Sequence, residues 1–206
     1  MISYPRIRTV FKRNMQHRGG TLIESEWTLP AFEYLAANQW LFTEKVDGTN
    51  IRIMWDGTKV IFSGRTDSAS IPVTLFTRLQ ELFPNSSMFQ TFTQPVCLYG
   101  EGYGPGIQTG GKYRDNQDFV LFDVRVGTRW LERKNVEHLA KAMGLHIVPI
   151  ISWGTLLEGV ELVRKGFVSA WGDFPAEGLV MRPGVELSDK RGERIITKIK
   201  YRDFVR

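Results

Sequence analysis

One hairpin pattern constrains the fold of this 206-residue chain more than any other feature of its sequence. Apolar and polar residues alternate from Thr49 to Trp55, an Asp56-Gly57 pair follows, and a second apolar run extends from Lys59 to Phe62. Alternation with a period of two predicts strands with one buried face, and Asp-Gly is a strong signal for a tight hairpin turn. We therefore expect an antiparallel sheet in this part of the chain.

The other predicted elements mix strands and helices without a regular one-to-one alternation. Strands are predicted at 40–44, 95–99, 118–126, 177–182 and 193–200, and helices at 73–83, about 132–143 and about 155–165. The Gly-rich segment from Gly100 to Gly111 is predicted to be a loop, and Asn85-Ser86-Ser87 a turn. This order argues against a doubly wound parallel sheet. We expect an α+β fold with mixed, largely antiparallel sheets flanked by helices.

Composition limits the class of protein. Apolar residues make up 42% of the chain, which is enough for a sizeable core, and Cys97 is the single cysteine, so a disulfide framework and a cysteine-based zinc site are excluded. Neither a signal peptide nor a membrane span is recognised, and we expect a cytoplasmic protein, or one of the host cytoplasm if a phage encodes it.

The net charge of +5 favours a polyanionic partner. The basic stretch from Arg6 to Arg18 is either a solvated face or a nucleic-acid contact.

Short segments that each lie at a predicted strand end or in a loop follow one another in a particular order. They are 44–50 (EKVDGTN), 63–66 (SGRT), 98–104 (LYGEGYG), 119–124 (FVLFDV), 177–182 (EGLVMR) and 198–200 (KIK). A Lys-x-Asp-Gly string alone is a common turn sequence and is not specific. Six such segments in a fixed order are a much more specific signal. The succession resembles motifs I, Ia, III, IIIa, IV and V of the covalent nucleotidyltransferases, which include polynucleotide ligases and mRNA capping enzymes.

Within that superfamily the chain is most similar to the RNA ligase 2 branch, which includes phage and RNA-editing ligases. Asn50 and the loop 100–108 (GEGYGPGIQ) carry this resemblance, whereas Asp47 is the form found in DNA ligases and capping enzymes. The resemblance implies a nucleotidyltransferase (ATP-grasp-like ligase) fold, with residues 1–206 as one minimal catalytic domain and no appended OB-fold. It implies an ATP-dependent RNA ligase.

The implied partner is a nucleic acid with 5′-phosphate and 3′-hydroxyl ends, with RNA favoured and no membrane involved. A helper protein that supplies end recognition is a further expected partner. Three alternatives stay open: a small ATP-dependent DNA ligase, an mRNA-capping-type guanylyltransferase, and an inactive nucleotide-binding or RNA-binding relative.

The resemblance assigns the chemistry to a group of charged residues. Lys45 is implied to attack the α-phosphorus of ATP and to carry AMP as a lysyl-Nζ–AMP. A lysine amine attacks only when it is neutral, although an unperturbed lysine is protonated at neutral pH. Desolvation and the cations Lys198, Lys200 and Arg182 are implied to favour the neutral form, and the same cations to hold the triphosphate. Glu177 is implied to orient Mg²⁺ or Mn²⁺, its water shell or the lysine.

Polar residues of the motifs are implied to bind the sugar and the phosphates. Glu101 is implied to accept hydrogen bonds from the ribose hydroxyls, beside glycines that allow close approach of the sugar. Arg65 is implied to contact phosphate or ribose and later the 5′-phosphate strand. Asn50 is implied to contact phosphates around the transfer step.

The base is implied to be held by backbone and aromatic groups. The backbone near Glu44 and Val46 is implied to recognise the edge of adenine. Phe122 is the first candidate to stack on adenine, and Phe119 is the alternative on the opposite face of a regular strand. Without the resemblance, both phenylalanines would be interpreted as core residues.

Overall fold

The computed structural model describes residues 3–16 and 20–205, apart from the side chain of Phe89. In chain order, the strands of this part of the chain are β1 Arg8–Thr9, β2 Phe11–Asn14, β3 Thr21–Trp27, β4 Trp40–Glu44, β5 Thr49–Trp55, β6 Val60–Ser63, β7 Val96–Tyr103, β8 Asp118–Val126, β9 Arg129–Trp130, β10 His146–Ile147, β11 Ile150–Gly154, β12 Gly178–Pro183 and β13 Thr197–Lys200. Its α-helices are α1 Pro30–Tyr34, α2 Val73–Leu82, α3 Asn85–Thr91, α4 Arg133–Met143 and α5 Leu156–Lys165.

The chain divides into two compact units. The first, called the hairpin unit, contains Val46–Val148 together with Tyr4, and the second, called the lysine unit, contains Pro5–Lys45 and the residues from Pro149 onwards. The boundary between the units therefore falls between Lys45 and Val46. That residues 1–206 form one catalytic domain stays a prediction.

The hairpin unit contains a sheet with the strand order β10-β8-β7-β5-β6, and β9 is paired to β8. All of its pairings are antiparallel except β10 with β8. Ile51 and Ile53 of β5 belong to a hydrophobic cluster that also includes Leu75 and Leu79 of α2 and Val136 of α4. Helices therefore cover one face of this sheet.

The lysine unit contains a sheet with the strand order β1-β13-β12-β4-β11 and a separate antiparallel pair, β2 and β3. In the five-stranded sheet only β1 and β13 are parallel. Phe42, Leu179 and Ile199 pack against Val160 and Val163 of α5 in a second hydrophobic cluster. A capping box begins this helix. The Thr155 hydroxyl accepts a hydrogen bond from the N–H of Glu158, and the Glu158 carboxylate accepts one from the N–H of Thr155.

These sheets confirm the predicted α+β class with mixed, largely antiparallel strands. The hairpin is confirmed as β5 and β6, and Asp56 Oδ1 accepts hydrogen bonds from the backbone N–H groups of Thr58 and Lys59 in the turn. The three predicted helices correspond to α2, α4 and α5, and Gly144 ends α4 in the left-handed conformation. None of the described helices is long and apolar enough to cross a membrane.

Three local predictions were wrong. Asn85-Ser86-Ser87 begins α3 after Pro84 instead of forming a turn, because proline is accommodated at a helix start. The predicted loop from Gly100 is strand as far as Tyr103, since this segment pairs with both β5 and β8. Only Thr197–Lys200 of the predicted strand 193–200 is strand. The first 30 residues, for which no helix or strand was predicted, contain β1, β2 and β3.

Candidate active site

The sheet of the lysine unit directs four cationic side chains from one face. Its register aligns Thr43, Val180 and Lys198 across β4, β12 and β13. Side chains two positions away along a strand project from the same face. The cations that share this face, opposite the hydrophobic cluster, are Lys45, Arg182, Lys198 and Lys200.

A bridging carboxylate joins two of these cations. Glu177 Oε2 lies 2.6 Å from Lys45 Nζ, and Glu177 Oε1 lies 2.5 Å from Lys200 Nζ. The three side chains are 12, 18 and 16% exposed respectively, so they are largely shielded but reachable. We call them the Lys45–Glu177–Lys200 network. Two ammonium groups against one carboxylate leave a net positive charge, which suits a phosphate ligand.

The backbone fixes Glu177 at the start of β12. The N–H of Lys45 donates to the carbonyl of Gly178, and the N–H of Tyr201 donates to the carbonyl of Glu177, each at 2.9 Å. Gly178 has a φ of +152°, and a Cβ there would lie 2.1 Å from the carbonyl oxygen of Ile199. Only glycine fits this close approach, so the identity of residue 178 supports the position of the carboxylate before it.

The other two predicted cations have different surroundings. Lys198 and Lys200 both line an open cavity in the lysine unit. Arg182 is only 4% exposed, and its Nη1 lies 3.3 Å from Glu186, which also pairs with Arg194 at 2.7 Å. The predicted cations thus differ in role: Lys45 and Lys200 meet at Glu177, whereas Arg182 stabilises a neighbouring ion-pair network.

The side chain of Glu44 has a structural partner that sequence reasoning missed. It is almost fully buried, and it accepts hydrogen bonds from Ser169 Oγ at 2.5 Å and from the N–H of Ala170 at 2.8 Å. Burial raises the pKa of Glu44, and these two hydrogen bonds lower it in part. The N–H groups of Glu44 and Lys45 donate to carbonyls of Pro149 and Gly178, so both donors are used within the sheet.

Replacing Ser169 by alanine is expected to destabilise the lysine unit by about 1–3 kcal/mol at neutral pH, because a buried carboxylate loses a hydrogen-bond donor. Protonation of Glu44 removes the charge that this donor serves. The loss of folding stability caused by Ser169→Ala should therefore be small below the unfolded pKa of glutamate. It should grow as pH rises through the raised folded pKa of Glu44. Chemical denaturation at several pH values measures it, with the exposed Ser152→Ala as control. A loss that does not vary with pH would contradict the role given to Glu44.

In the hairpin unit, residues 48–50 of the first motif lie beside residues 101–102 of the segment 98–104. Asn50 pairs with Glu101 across β5 and β7. A Cβ on Gly48 would lie 2.2 Å from the carbonyl oxygen of Gly102, so the two backbones touch at this point. Asn50 Oδ1 is buried and has no hydrogen-bond partner among the described residues. Buried polar atoms are normally paired, so this amide is a candidate for ligand binding.

Asp47 is engaged by the loop after β7. Thr109 Oγ1 donates to Asp47 Oδ2 at 2.5 Å, and the N–H of Asp47 donates to the hydroxyl of Tyr113 at 3.1 Å. Sequence reasoning missed both contacts, since neither partner lies in a matched motif. The carboxylate therefore helps to anchor this loop.

The two phenylalanines of β8 occupy different environments. Phe119 is 1% exposed and packs against Phe83 in the hydrophobic cluster, with ring centroids 5.5 Å apart. Phe122 is partly exposed and meets Tyr4 edge to face at 5.0 Å, while the Tyr4 hydroxyl donates to buried Asp123 at 2.6 Å. Of the two rings, only that of Phe122 has a surface open to a ligand. Nothing in the sequence indicated that Tyr4 would contact Phe122.

The remaining predicted residues lie at the edges of the hairpin unit. Arg65 is exposed directly after β6, and Val46 is buried where this unit begins. No group of three or more histidine, cysteine, aspartate or glutamate side chains that would enclose a metal occurs in residues 3–16 and 20–205.

Comparison with known proteins identifies the family and the fold. The sequence model of the family described as RNA ligase matches residues 38–200. A mutant of the Naegleria gruberi RNA ligase in its apo form matches with a TM-score of 0.73 and 18% identity, over 98% of this chain and 57% of that chain. A mutant of that enzyme with ATP and Mn gives 0.72 and 17%, over 97% and 56%. The enzyme with PPi gives 0.69 and 17%, over 96% and 61%.

The chain thus spans less than two thirds of the length of these solved structures. At such low sequence identity the likeness concerns the fold alone. It confirms the predicted nucleotidyltransferase fold.

Proposed function

Because this chain belongs to the RNA ligase family, we propose that it is an ATP-dependent RNA ligase that carries AMP on Lys45, transfers it to a 5′-phosphate and joins that end to a 3′-hydroxyl. The observation that carries the proposal is the Lys45–Glu177–Lys200 network, in which one carboxylate bridges the shielded amine of Lys45 and that of Lys200. Binding of ATP with Mn and of PPi by the Naegleria gruberi enzyme supports ATP as the nucleotide.

In the first step, Lys45 Nζ loses a proton and forms a bond to the α-phosphorus, while the bond from that phosphorus to the bridging oxygen of the β-phosphate breaks and pyrophosphate leaves. Glu177 Oε2, 2.6 Å from Nζ, is the acceptor within reach of this proton. The second ammonium on the same carboxylate, that of Lys200, stabilises the negative charge that develops on the phosphate oxygens. Lys198 and Arg182 are proposed to add positive charge on the same face of the sheet.

Glu177 is also proposed to hold Mg²⁺ or Mn²⁺, directly or through water. Magnesium commonly uses one or two carboxylates together with substrate phosphates and retains several waters, so a single carboxylate such as that of Glu177 can suffice for this ion. When bound, the metal neutralises charge on the phosphate oxygens. The contribution of the chain is to orient that carboxylate, through Gly178 and the backbone bond from Tyr201.

The hairpin unit is proposed to bind the nucleoside and the phosphates. Glu101 accepts hydrogen bonds from the ribose hydroxyls, Asn50 binds phosphate, and Phe122 stacks on adenine. The partial exposure of Phe122 supports its role. Asn50 would contact phosphate oxygens through the Nδ2 donors of its amide, since the amide oxygen only accepts hydrogen bonds. Exposed Arg65 is proposed to contact phosphate or ribose and then the 5′-phosphate strand, and the backbone near Glu44 and Val46 to recognise the edge of adenine.

A small DNA ligase is the second candidate function, and Asp47 is the observation that favours it, because aspartate at this motif position is the form shared with DNA ligases. The two readings differ in the sugar that the sealing step accepts. A 2′-hydroxyl is the group by which a protein distinguishes RNA from DNA at a given position.

We expect faster sealing of a pre-adenylated nick when the two nucleotides on its 3′-hydroxyl side are ribose than when they are deoxyribose. Otherwise identical nicked duplexes should be compared at low salt, where backbone contacts are not screened. Using a pre-adenylated strand isolates the sealing step from the loading of ATP. Equal or faster sealing of the all-deoxy nick would favour the DNA ligase, and success only on open single strands would indicate an end-joining RNA ligase.

A further inference from the structure

The lysine unit has an open cavity of about 1010 Å³ beside the Lys45–Glu177–Lys200 network. Its walls come from the N-terminal segment between Arg6 and Met15, from Thr28, and from the end of the chain between Lys198 and Asp203. β1 joins the first and last of these walls, because Arg8–Thr9 pairs in parallel with Thr197–Lys198. We call this cavity the cationic cleft.

Three arginines of the cleft have uncompensated charge. Arg6, Arg8 and Arg202 line it and are exposed, and none of them forms a side-chain hydrogen bond or ion pair with another residue in the part of the chain that the structure describes. Ordering an arginine side chain costs conformational entropy. No described residue makes a side-chain hydrogen bond or ion pair that would hold these three arginines in one conformation. Their charge is therefore available to a ligand.

The other charged groups of the cleft leave its balance positive. Lys12 pairs with Glu26 at 2.9 Å, and Arg13 pairs with Asp203 at 2.7 Å. Within residues 3–16 and 20–205, Asp203 is the single acidic residue that lines the cleft. At the end formed by β13, Lys198 and Lys200 continue the positive surface to the carboxylate that holds Lys45.

We propose that the cationic cleft binds the sugar–phosphate backbone of a polynucleotide strand and leads its end toward Lys45. This inference rests on the proposed ligase function. A cavity of this volume, with cations on separate chain segments, is much larger than one pyrophosphate group requires. None of the described residues that line the cleft is aromatic, so these residues offer no ring on which a base could stack. The cleft therefore holds phosphates in register without reading sequence.

The test compares two triple variants that each lose three positive charges. The first carries Arg6→Gln, Arg8→Gln and Arg202→Gln in the cleft. The matched control carries Lys59→Gln, Lys141→Gln and Lys165→Gln, which are exposed and do not line it. Binding of a fluorescent 5′-phosphorylated oligoribonucleotide is measured by anisotropy over a range of salt concentrations, and thermal unfolding verifies that both variants fold.

We expect the cleft variant to bind the oligoribonucleotide at least about tenfold more weakly than the control at low salt, with a salt dependence lower by roughly 2 in log–log slope for three lost phosphate contacts. Oligomers of different base sequence should be affected equally. Binding within twofold of the control would overturn the proposal. An equal loss of AMP labelling and of RNA binding would also overturn it, because the cleft would then serve the triphosphate.

The outcome also separates this inference from the ligase function on which it rests. If the unmodified protein forms the AMP adduct and the cleft variant binds RNA like the control, the cleft is rejected and the ligase stands. If the unmodified protein binds RNA through the cleft but forms no adduct, the ligase function is rejected.

Discussion

Replacing Lys45 by alanine is expected to abolish covalent labelling by ATP, because its amine is proposed to be the sole site of AMP attachment. Lys45→Arg should fail equally, since a guanidinium stays protonated at any pH of interest. Labelling with ATP that carries the label at the α-phosphate, followed by denaturing electrophoresis, measures the effect.

The fold should survive the loss of Lys45. Glu177 keeps its contact with Lys200 Nζ at 2.5 Å, so alanine at position 45 does not leave this carboxylate without a partner. Thermal unfolding of both variants, with the exposed Lys165→Ala as a matched control, verifies this. An acid-labile AMP adduct on the Lys45→Ala protein would show that the nucleophile has been misassigned.

Removing either lysine of β13 is expected to slow adenylation by ~10²-fold or more, comparable with the loss of one donor that stabilises a transition state. Lys200→Ala removes the cation on Glu177 Oε1 and leaves that carboxylate to Lys45 alone, which favours the protonated amine. Lys198→Ala removes positive charge from the same face of the sheet. Single-turnover rates of adduct formation compare both variants with Lys165→Ala, and near-normal rates in both would refute their roles.

Local patterns were sufficient for much of the fold. Asp56-Gly57 between two alternating runs predicted the hairpin, and apolar residues at helical spacing predicted α2 within one residue at its end. Glycines at positions 144 and 166 marked where α4 and α5 end. These signals depend on residues close together in the chain, where periodicity and capping act.

Long-range pairing decided the elements that sequence reasoning missed. β1 has two residues, and its partner Thr197–Lys198 lies near the other end of the chain, so no local pattern specifies the pair. The strand from Gly100 to Tyr103 likewise exists because β5 and β8 flank it, although its glycines favour a loop. Tertiary pairing overrides a weak local preference in both places.

The candidate site was predicted in composition but not in arrangement. Resemblance to known motifs indicated Lys45, Glu177 and Lys200, whereas the bridging of both lysines by one carboxylate depends on the register of β4, β12 and β13. Arg182 was grouped with them, yet its guanidinium pairs with Glu186. Arg6 and Arg8 of the cationic cleft had only a basic stretch as their signal, and Arg202 had none. The last residue of that stretch, Arg18, lies outside the described residues.

The most direct test of the ligase assignment is incubation of the unmodified protein with ATP or GTP that carries a label at the α-phosphate, in the presence of Mg²⁺ or Mn²⁺, followed by denaturing electrophoresis and mapping of the labelled peptide. We predict an acid-labile adduct formed from ATP and located at Lys45. Label acquired only from GTP would indicate a capping-type guanylyltransferase, and the absence of label from either nucleotide, in protein shown to be folded, would contradict the account.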